Sequence, residues 1–175
     1  RLKTGLRKDG TISAMEIDFA AEGGAYPTYA REHLDRLLLS VAGHYSAKNI
    51  KISGKLVYTS LPPIDMRGGL GLNDGFFALE VHTTRLAELS HEDPAEWRCR
   101  VLLSERKNTI TRVRAGKTPQ KSLIEAVVKD SDFSRKYSAN EMLRKRRGSL
   151  TLESGYFRGI GIATAFQGGG FINSG

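Results

Sequence analysis

One cysteine, Cys99, and four histidines, His33, His44, His82 and His91, are all that 175 residues offer to soft-metal or thiol chemistry. A lone cysteine closes no disulfide within the chain, and no Cys/His cluster falls at metal-ligand spacing, which argues against a protein-ligated zinc site. No apolar run approaches the length that spans a bilayer, and the opening Arg1-Leu2-Lys3-Thr4 lacks the apolar stretch of a signal peptide. The expected location is the cytoplasm. The common catalytic signatures are missing too. There is no GxSxG elbow, GLGLNDG lacks both the lysine of a P-loop and the GxGxxG spacing, and HEDP has no second zincin histidine.

What is present supports a core: 39% of residues are hydrophobic, enough for one domain of ordinary size or a piece of a larger one. The net charge of +8 is unevenly spread. Residues 98–147 hold 15 Lys and Arg against 5 Asp and Glu, a net of +10, and the remainder, with 12 against 14, sums to −2. A patch of this kind attracts nucleic acid or an acidic partner. Its aromatics are only Phe133 and Tyr137, with Trp97 just before it, and there is no stacking array, so a solvated helical face or a surface meeting other parts of a larger protein is the favoured reading. A non-catalytic interaction module using this basic segment is the alternative to an enzyme.

Along the chain, residues 1–24 predict a β-hairpin turning at KDG, with Ile12, Ala14, Glu16 and Asp18 on one face and Ser13, Met15, Ile17 and Phe19 on the other. Leu34, Leu37, Leu38 and Val41 predict a helix over 33–45 that stops near Gly43. Residues 49–60 predict a strand, broken by Pro62-Pro63, and 73–89 a helix with Phe76, Phe77, Leu79, Val81 and Leu86 on its apolar side. Asp93 and Pro94 are a strong helix start for 93–103, and Glu80, Asp93 and Glu96 sit where helix faces and caps want carboxylates. Two further helices are expected over 122–133 and 134–147, then a strand in GYFRGIGIATAFQ and a glycine-rich end. The fold class is α+β, a hairpin and mixed strands packed with several helices. Its divisions fall at 1–104, a basic helical segment at 105–150, and the strand with its glycine-rich end at 151–175. A chain that starts in a strand and stops just after one reads as part of something longer.

The stretch MRGGLGLNDGFFALE, residues 66–80, joins an arginine to glycines and then to a helix, an arrangement that lets backbone approach a bulky anionic ligand, with an ordinary loop as the equal alternative. Taken in order, KDGTISAMEIDFAAEGGAY, HLDRLLLSVAGHYSAKNIKISGKLVYTS, PPIDMRGGLG with FFALE, LAELSHEDPAEWRCRVLL and FRGIGIATAFQGGGF resemble the molybdenum hydroxylases, the xanthine dehydrogenase and aldehyde oxidase family. The likeness is to part of their molybdopterin-binding domain. It runs through essentially the whole chain and is weakest over residues 107–150.

The resemblance implies hydroxylation of a heteroaromatic ring, purines among them, or of an aldehyde, with water as oxygen source. It implies a molybdenum–molybdopterin cofactor, in a dinucleotide form, with iron–sulfur and flavin centres elsewhere in the enzyme. Partners would be the small-molecule substrate and other domains or subunits of a homo- or hetero-oligomer, with no membrane. Arg67 and Gly68 fall on the family's cofactor-contacting Arg-Gly step. Arg36, nine residues before Tyr45, falls where purine-oxidising members place a charge-stabilising arginine, although a polar helix-face residue is an equal reading. Phe171 falls on one of two phenylalanines that sandwich an aromatic substrate. Where xanthine-oxidising members carry the other ring, directly after Arg-Gly, this chain has Gly69, and the run from Arg67 to Glu80 is about one residue longer than theirs. The family's base glutamate is expected from a later portion, so these 175 residues alone are expected to be inactive.

Overall fold

A computed structural model describes residues 1–26, 28–63, 71–105, 107–110, 119–147 and 159–166. Strands β1 (Leu2–Leu6) and β2 (Ile12–Gly24) form the expected hairpin. The Asp9 carboxylate closes the turn by accepting from the Thr11 amide at 3.0 Å and the Thr11 hydroxyl at 2.7 Å. Strict alternation fails beside the hairpin turn. Gly5 pairs with Ala14 but Leu6 pairs with Ile12, so Ser13 is bulged out and its hydroxyl donates to the Gly5 carbonyl at 2.8 Å. Ile12 thereby joins Met15 and Ile17 in the core instead of facing away from them.

Helix α1 (Ala30–Ser40) carries the chain across to β3 (Asn49–Tyr58), which lies parallel to β2, giving a three-stranded mixed sheet in the order β1-β2-β3. A parallel neighbour requires such a crossover. The expected helix over 33–45 starts three residues earlier and ends five residues earlier than its pattern suggests. Residues 41–44 turn instead, with Gly43 at φ +60°, and Tyr45 leaves in a single bridge to Leu102. Gly43 suits this left-handed turn, and Leu79 occupies the space a β-carbon would take.

Helix α2 (Leu72–Leu89) and helix α3 (Pro94–Val101) lie close to expectation. Asp93 caps α3, accepting from the Ala95 amide at 2.7 Å and the Glu96 amide at 3.3 Å ahead of Pro94. The main core joins Ile12, Met15 and Ile17 to Val41, Tyr45, Leu79, Leu86, Trp97 and Val101. The indole N–H of Trp97 donates to the Gly10 carbonyl at 3.1 Å, tying α3 to the hairpin turn.

Helices α4 (Gln120–Ser131) and α5 (Phe133–Arg147) are separated by Asp132 at φ +54°. They contribute a second, small cluster of Ala95, Ile124 and Phe133. The strand expected near residue 160 is not one: residues 159–166 join no ladder. Their side chains nevertheless alternate, with Ile160, Ile162 and Thr164 half-buried and their neighbours exposed. The two isoleucines pack on the small cluster, so apolar contacts take the place of strand pairing.

Candidate functional site

The first turn of α2 is built by close approach to α1. Gly71, ahead of α2, has φ +87°, and a β-carbon there would strike the His33 carbonyl and crowd the Leu37 amide. One turn on, a β-carbon on Gly75 would strike the Ser40 hydroxyl and lie 2.9 Å from the Leu37 carbonyl. The His33 ring also meets the Asp74 carboxylate at 3.1 Å. Two glycines and one polar pair therefore hold the start of α2 against residues 33–40 of α1.

Arg36 lies between His33 and Leu37, the two residues that face Gly71. Its side chain is only 13% exposed, and its Nε and Nη2 atoms donate to Glu32 Oε1 at 3.1 and 2.7 Å. Arg67, Gly68 and Gly69 precede Gly71 but lie outside the described residues, as does Phe171, five residues beyond Phe166. The fold thus sets the Arg36 backbone beside the helix start that follows Arg67, Gly68 and Gly69.

Behind this wall lies a buried polar network that the sequence pattern does not reveal. Arg98 is fully buried and Glu80 6% exposed, and Arg98 Nε donates to Glu80 Oε2 at 3.0 Å. The guanidinium also donates to the Pro94 carbonyl at 3.0 Å and the Thr84 hydroxyl at 2.9 Å. Tyr45 donates its hydroxyl to Glu80 Oε1 at 2.6 Å, and the Thr164 amide donates to Glu80 Oε2 at 3.1 Å. His44 Nε2 lies 2.7 Å from the Thr164 hydroxyl, whereas His44 Nδ1 is buried with no partner among the described residues. An unpaired N–H costs more than an unpaired lone pair, so the proton belongs on Nε2. Burial first, and the Arg98 charge second, push the His44 pKa down to about 4, so the ring is neutral at physiological pH. Burial and the Glu80 charge raise the Tyr45 hydroxyl above the ordinary phenol range, leaving it a donor.

Position along the chain assigns Glu80 to a helix face, and the structure turns that face inward. The available signal is that Glu80 follows Leu79 and lies four residues after Phe76, while Arg98 follows Trp97: two opposite charges on the apolar sides of neighbouring helices. Arg98 must also be withdrawn from the basic segment as a working surface, because no part of it reaches solvent. Several other cations there are already neutralised, Arg100 by Glu92, Arg135 by Asp132 and Arg144 by Glu141. Among the described residues, no three His, Cys, Asp or Glu side chains come together to hold a metal ion, and no helix is long and apolar enough to cross a membrane.

Residues 1–102 match the family model described as "Molybdopterin cofactor-binding domain", the whole span from β1 through α3. The chain belongs to this family. Its α+β architecture is that of a fragment of a molybdenum-cofactor-binding domain. A probable xanthine dehydrogenase subunit from Bacillus subtilis is 35% identical over 97 residues, 55% of this chain and 13% of the relative. "Aldehyde oxidase 4" from Cavia porcellus is 26% identical over 180 residues, 99% of this chain and 13% of the relative. Among solved structures, the aldehyde oxidoreductase from Desulfovibrio gigas superposes with a TM-score of 0.69 at 25% identity, over 86% of this chain and 16% of that one. Quinoline 2-oxidoreductase from Pseudomonas putida 86 shares the fold, with a TM-score of 0.70 at 19% identity over 83% of this chain and 19% of its own. The chain therefore spans about an eighth of the length of the two curated relatives.

Proposed function

We propose that this molybdopterin cofactor-binding domain supplies one wall of the active site of a molybdenum hydroxylase that oxidises a heteroaromatic ring or an aldehyde with water as oxygen source. The supporting observation is the fixed start of α2, where glycines lock the helix against α1 directly after the Arg67-Gly68-Gly69 stretch. The residues suit a large anionic prosthetic group. Gly71 offers no side-chain cap to α2, and a helix start without one favours anionic oxygens such as phosphates. When bound, the molybdenum cofactor would supply the two-electron redox chemistry and the transfer of the oxygen atom.

In this reading Arg67 and Gly68 hold the cofactor, which carries a dinucleotide. Gly69, in place of a ring, leaves one side of the substrate slot open, while Phe171 stacks on the other. Arg36 stabilises negative charge on a heterocycle, and its pairing with Glu32 keeps the side chain oriented while offsetting part of its charge. The base glutamate, the iron–sulfur and flavin centres and the remaining walls come from other domains or subunits in the cytoplasm, so the 175 residues alone are inactive.

The deciding experiment is molybdenum analysis of the intact enzyme, joined to turnover of purines and aldehydes. Stoichiometric molybdenum is expected. Arg36→Met should retain it while losing roughly 10²–10³-fold in turnover of purine-like substrates, the usual cost of one lost charge-stabilising donor. Intact protein without molybdenum, or purine turnover identical in wild type and Arg36→Met, would refute the corresponding part of the reading.

A further inference from the structure

Three separate stretches meet at one buried carboxylate. Glu80 belongs to α2, the helix that starts just after Arg67, Gly68 and Gly69. Tyr45, whose hydroxyl it accepts, follows the turn that ends α1, the helix of Arg36. Thr164, whose amide it accepts, lies seven residues before Phe171. Arg98 from α3 supplies the opposing charge at 3.0 Å. The described stretches that neighbour the five site candidates in sequence, α1 with Tyr45, α2, and residues 159–166, are therefore joined through Glu80.

Among the described residues, segment 159–166 is not placed by strand pairing. It makes no ladder, Gly159 and Gly161 have nothing within 4 Å of where a β-carbon would lie, and its apolar anchors Ile160 and Ile162 are only half-buried. Apolar contact resists withdrawal of such a segment but sets no register along it. A charged acceptor facing one particular amide does, and hydrogen bonds to ionised acceptors are about twice as strong as neutral ones. His44 completes the grip on the Thr164 hydroxyl, and Phe166 lies edge-on to both His44, with ring centroids 5.5 Å apart, and Phe76, at 5.4 Å.

We propose that Glu80 is a positioning residue. Its carboxylate, held by Arg98, clasps the Thr164 amide and thereby sets the register of residues 159–166, the stretch that leads in sequence to Phe171, against α1 and α2. What the clasp serves rests on the function proposed above; the clasp itself rests on these hydrogen bonds. Glu80 touches neither substrate nor cofactor in this proposal.

The test uses the intact enzyme and two variants. Glu80→Gln removes the charged acceptor, and Thr164→Val removes the hydroxyl contacts while leaving the Glu80–Arg98 pair in place. Hydrogen exchange should quicken at least 10-fold in the 159–166 amides of Glu80→Gln and less in those of Thr164→Val. The β2 and β3 amides should keep their wild-type rates in Thr164→Val. Exchange in 159–166 at the wild-type rate in Glu80→Gln would overturn the clasp, and should Glu80→Gln fail to fold, a third variant, Glu80→Asp, which keeps the charge opposite Arg98 but shortens its reach to the Thr164 amide, decides in its place. Steady-state kinetics separate positioning from bulk structure. KM for a flat heterocycle should rise about 10-fold, with molybdenum content and kcat within twofold of wild type. Faster exchange with an unchanged KM would overturn the positioning role. Intact wild-type protein without molybdenum would instead count against the proposed function, and the exchange rates would still decide whether the clasp exists.

Discussion

The span from β1 to α3 and the pair α4–α5 are both regular structure, yet they are held in different ways. The first buries Ile17, Leu79, Val41 and Trp97 almost completely around a sheet, and neutralises its innermost charges within itself. The second buries Ile124 and Phe133, while Leu123, Val127, Met142 and Leu143 are each at least half exposed. Its ion pairs among the described residues are solvated and, apart from the 4.0 Å contact of Arg144 with Glu88, short-range, such as Arg135 with Asp132 and Arg144 with Glu141. The difference shows where the cofactor-binding family signature has its physical basis: the matched residues, 1–102, coincide with the region whose core closes on itself. In α4 and α5 the helical pattern alone leaves many substitutions equally acceptable.

The sharpest way to break this comparison is to remove a buried group from the first region and its analogue from the second. Arg98→Met should destabilise the domain by about 3–5 kcal/mol, because Glu80 is left charged and buried without its partner. Arg144→Met, whose side chain is 62% exposed, should change stability by less than about 1 kcal/mol. Denaturant-dependent hydrogen exchange of the β2 and β3 amides in the intact protein reads both, and equal losses would erase the distinction. Trp97→Ala should cost about 3–5 kcal/mol through its cavity and the lost bond to Gly10. Leu143→Ala, half exposed, should cost well under that, measured in the same way.

Acid should separate the regions next. His44 is held neutral, with Arg98, Glu80 and the Tyr45 hydroxyl around it, and its folded pKa of about 4 lies below the ordinary histidine value of 6.5. Between those values the unfolded chain binds the extra proton, so stability falls as pH drops through about 6.5 and the loss is complete near 4. It amounts to about 3 kcal/mol. His44→Gln should flatten that part of the pH profile, and an unchanged profile would show that His44 is not the group responsible. A more local effect concerns the joint between α1 and α2. Gly75→Ala should cost about 1–3 kcal/mol by pressing a methyl group on Ser40 and the Leu37 carbonyl. In Gly75→Ala the loss should appear as faster exchange in the first turn of α2 ahead of the β2 amides, and uniform exchange would show that the joint is not a local constraint.

Much of the first region is legible in the residues because its signals are local. Asp9 closes a turn with Thr11, two positions away, Asp93 caps the amides two and three positions on, and Gly43 takes the left-handed turn that follows α1. The same order of local pieces carries the family resemblance, and the match over residues 1–102 supports it. The site candidates are legible only as positions in a pattern: Arg36 is placed beside the start of α2, while Arg67, Gly68, Gly69 and Phe171 fall outside the described residues. Alternation misplaces Ile12, because a bulge changes which face a residue occupies without changing its propensity.

By itself, then, the sequence determined most of the elements, the hairpin turn and the Asp93 cap, and membership in a molybdopterin cofactor-binding family. Each of these depends on contacts within a turn or two, or on the order of such pieces. The tertiary structure alone decided that β3 runs parallel to β2, that residues 159–166 lie without a ladder, and that Glu80 and Arg98 are partners rather than surface charges. A charge becomes an asset or a liability according to what covers it, and here the covering groups come from 18, 35 and 84 residues away. No local pattern encodes such distances, because desolvation is a property of the assembled interior and not of the segment that carries the charge.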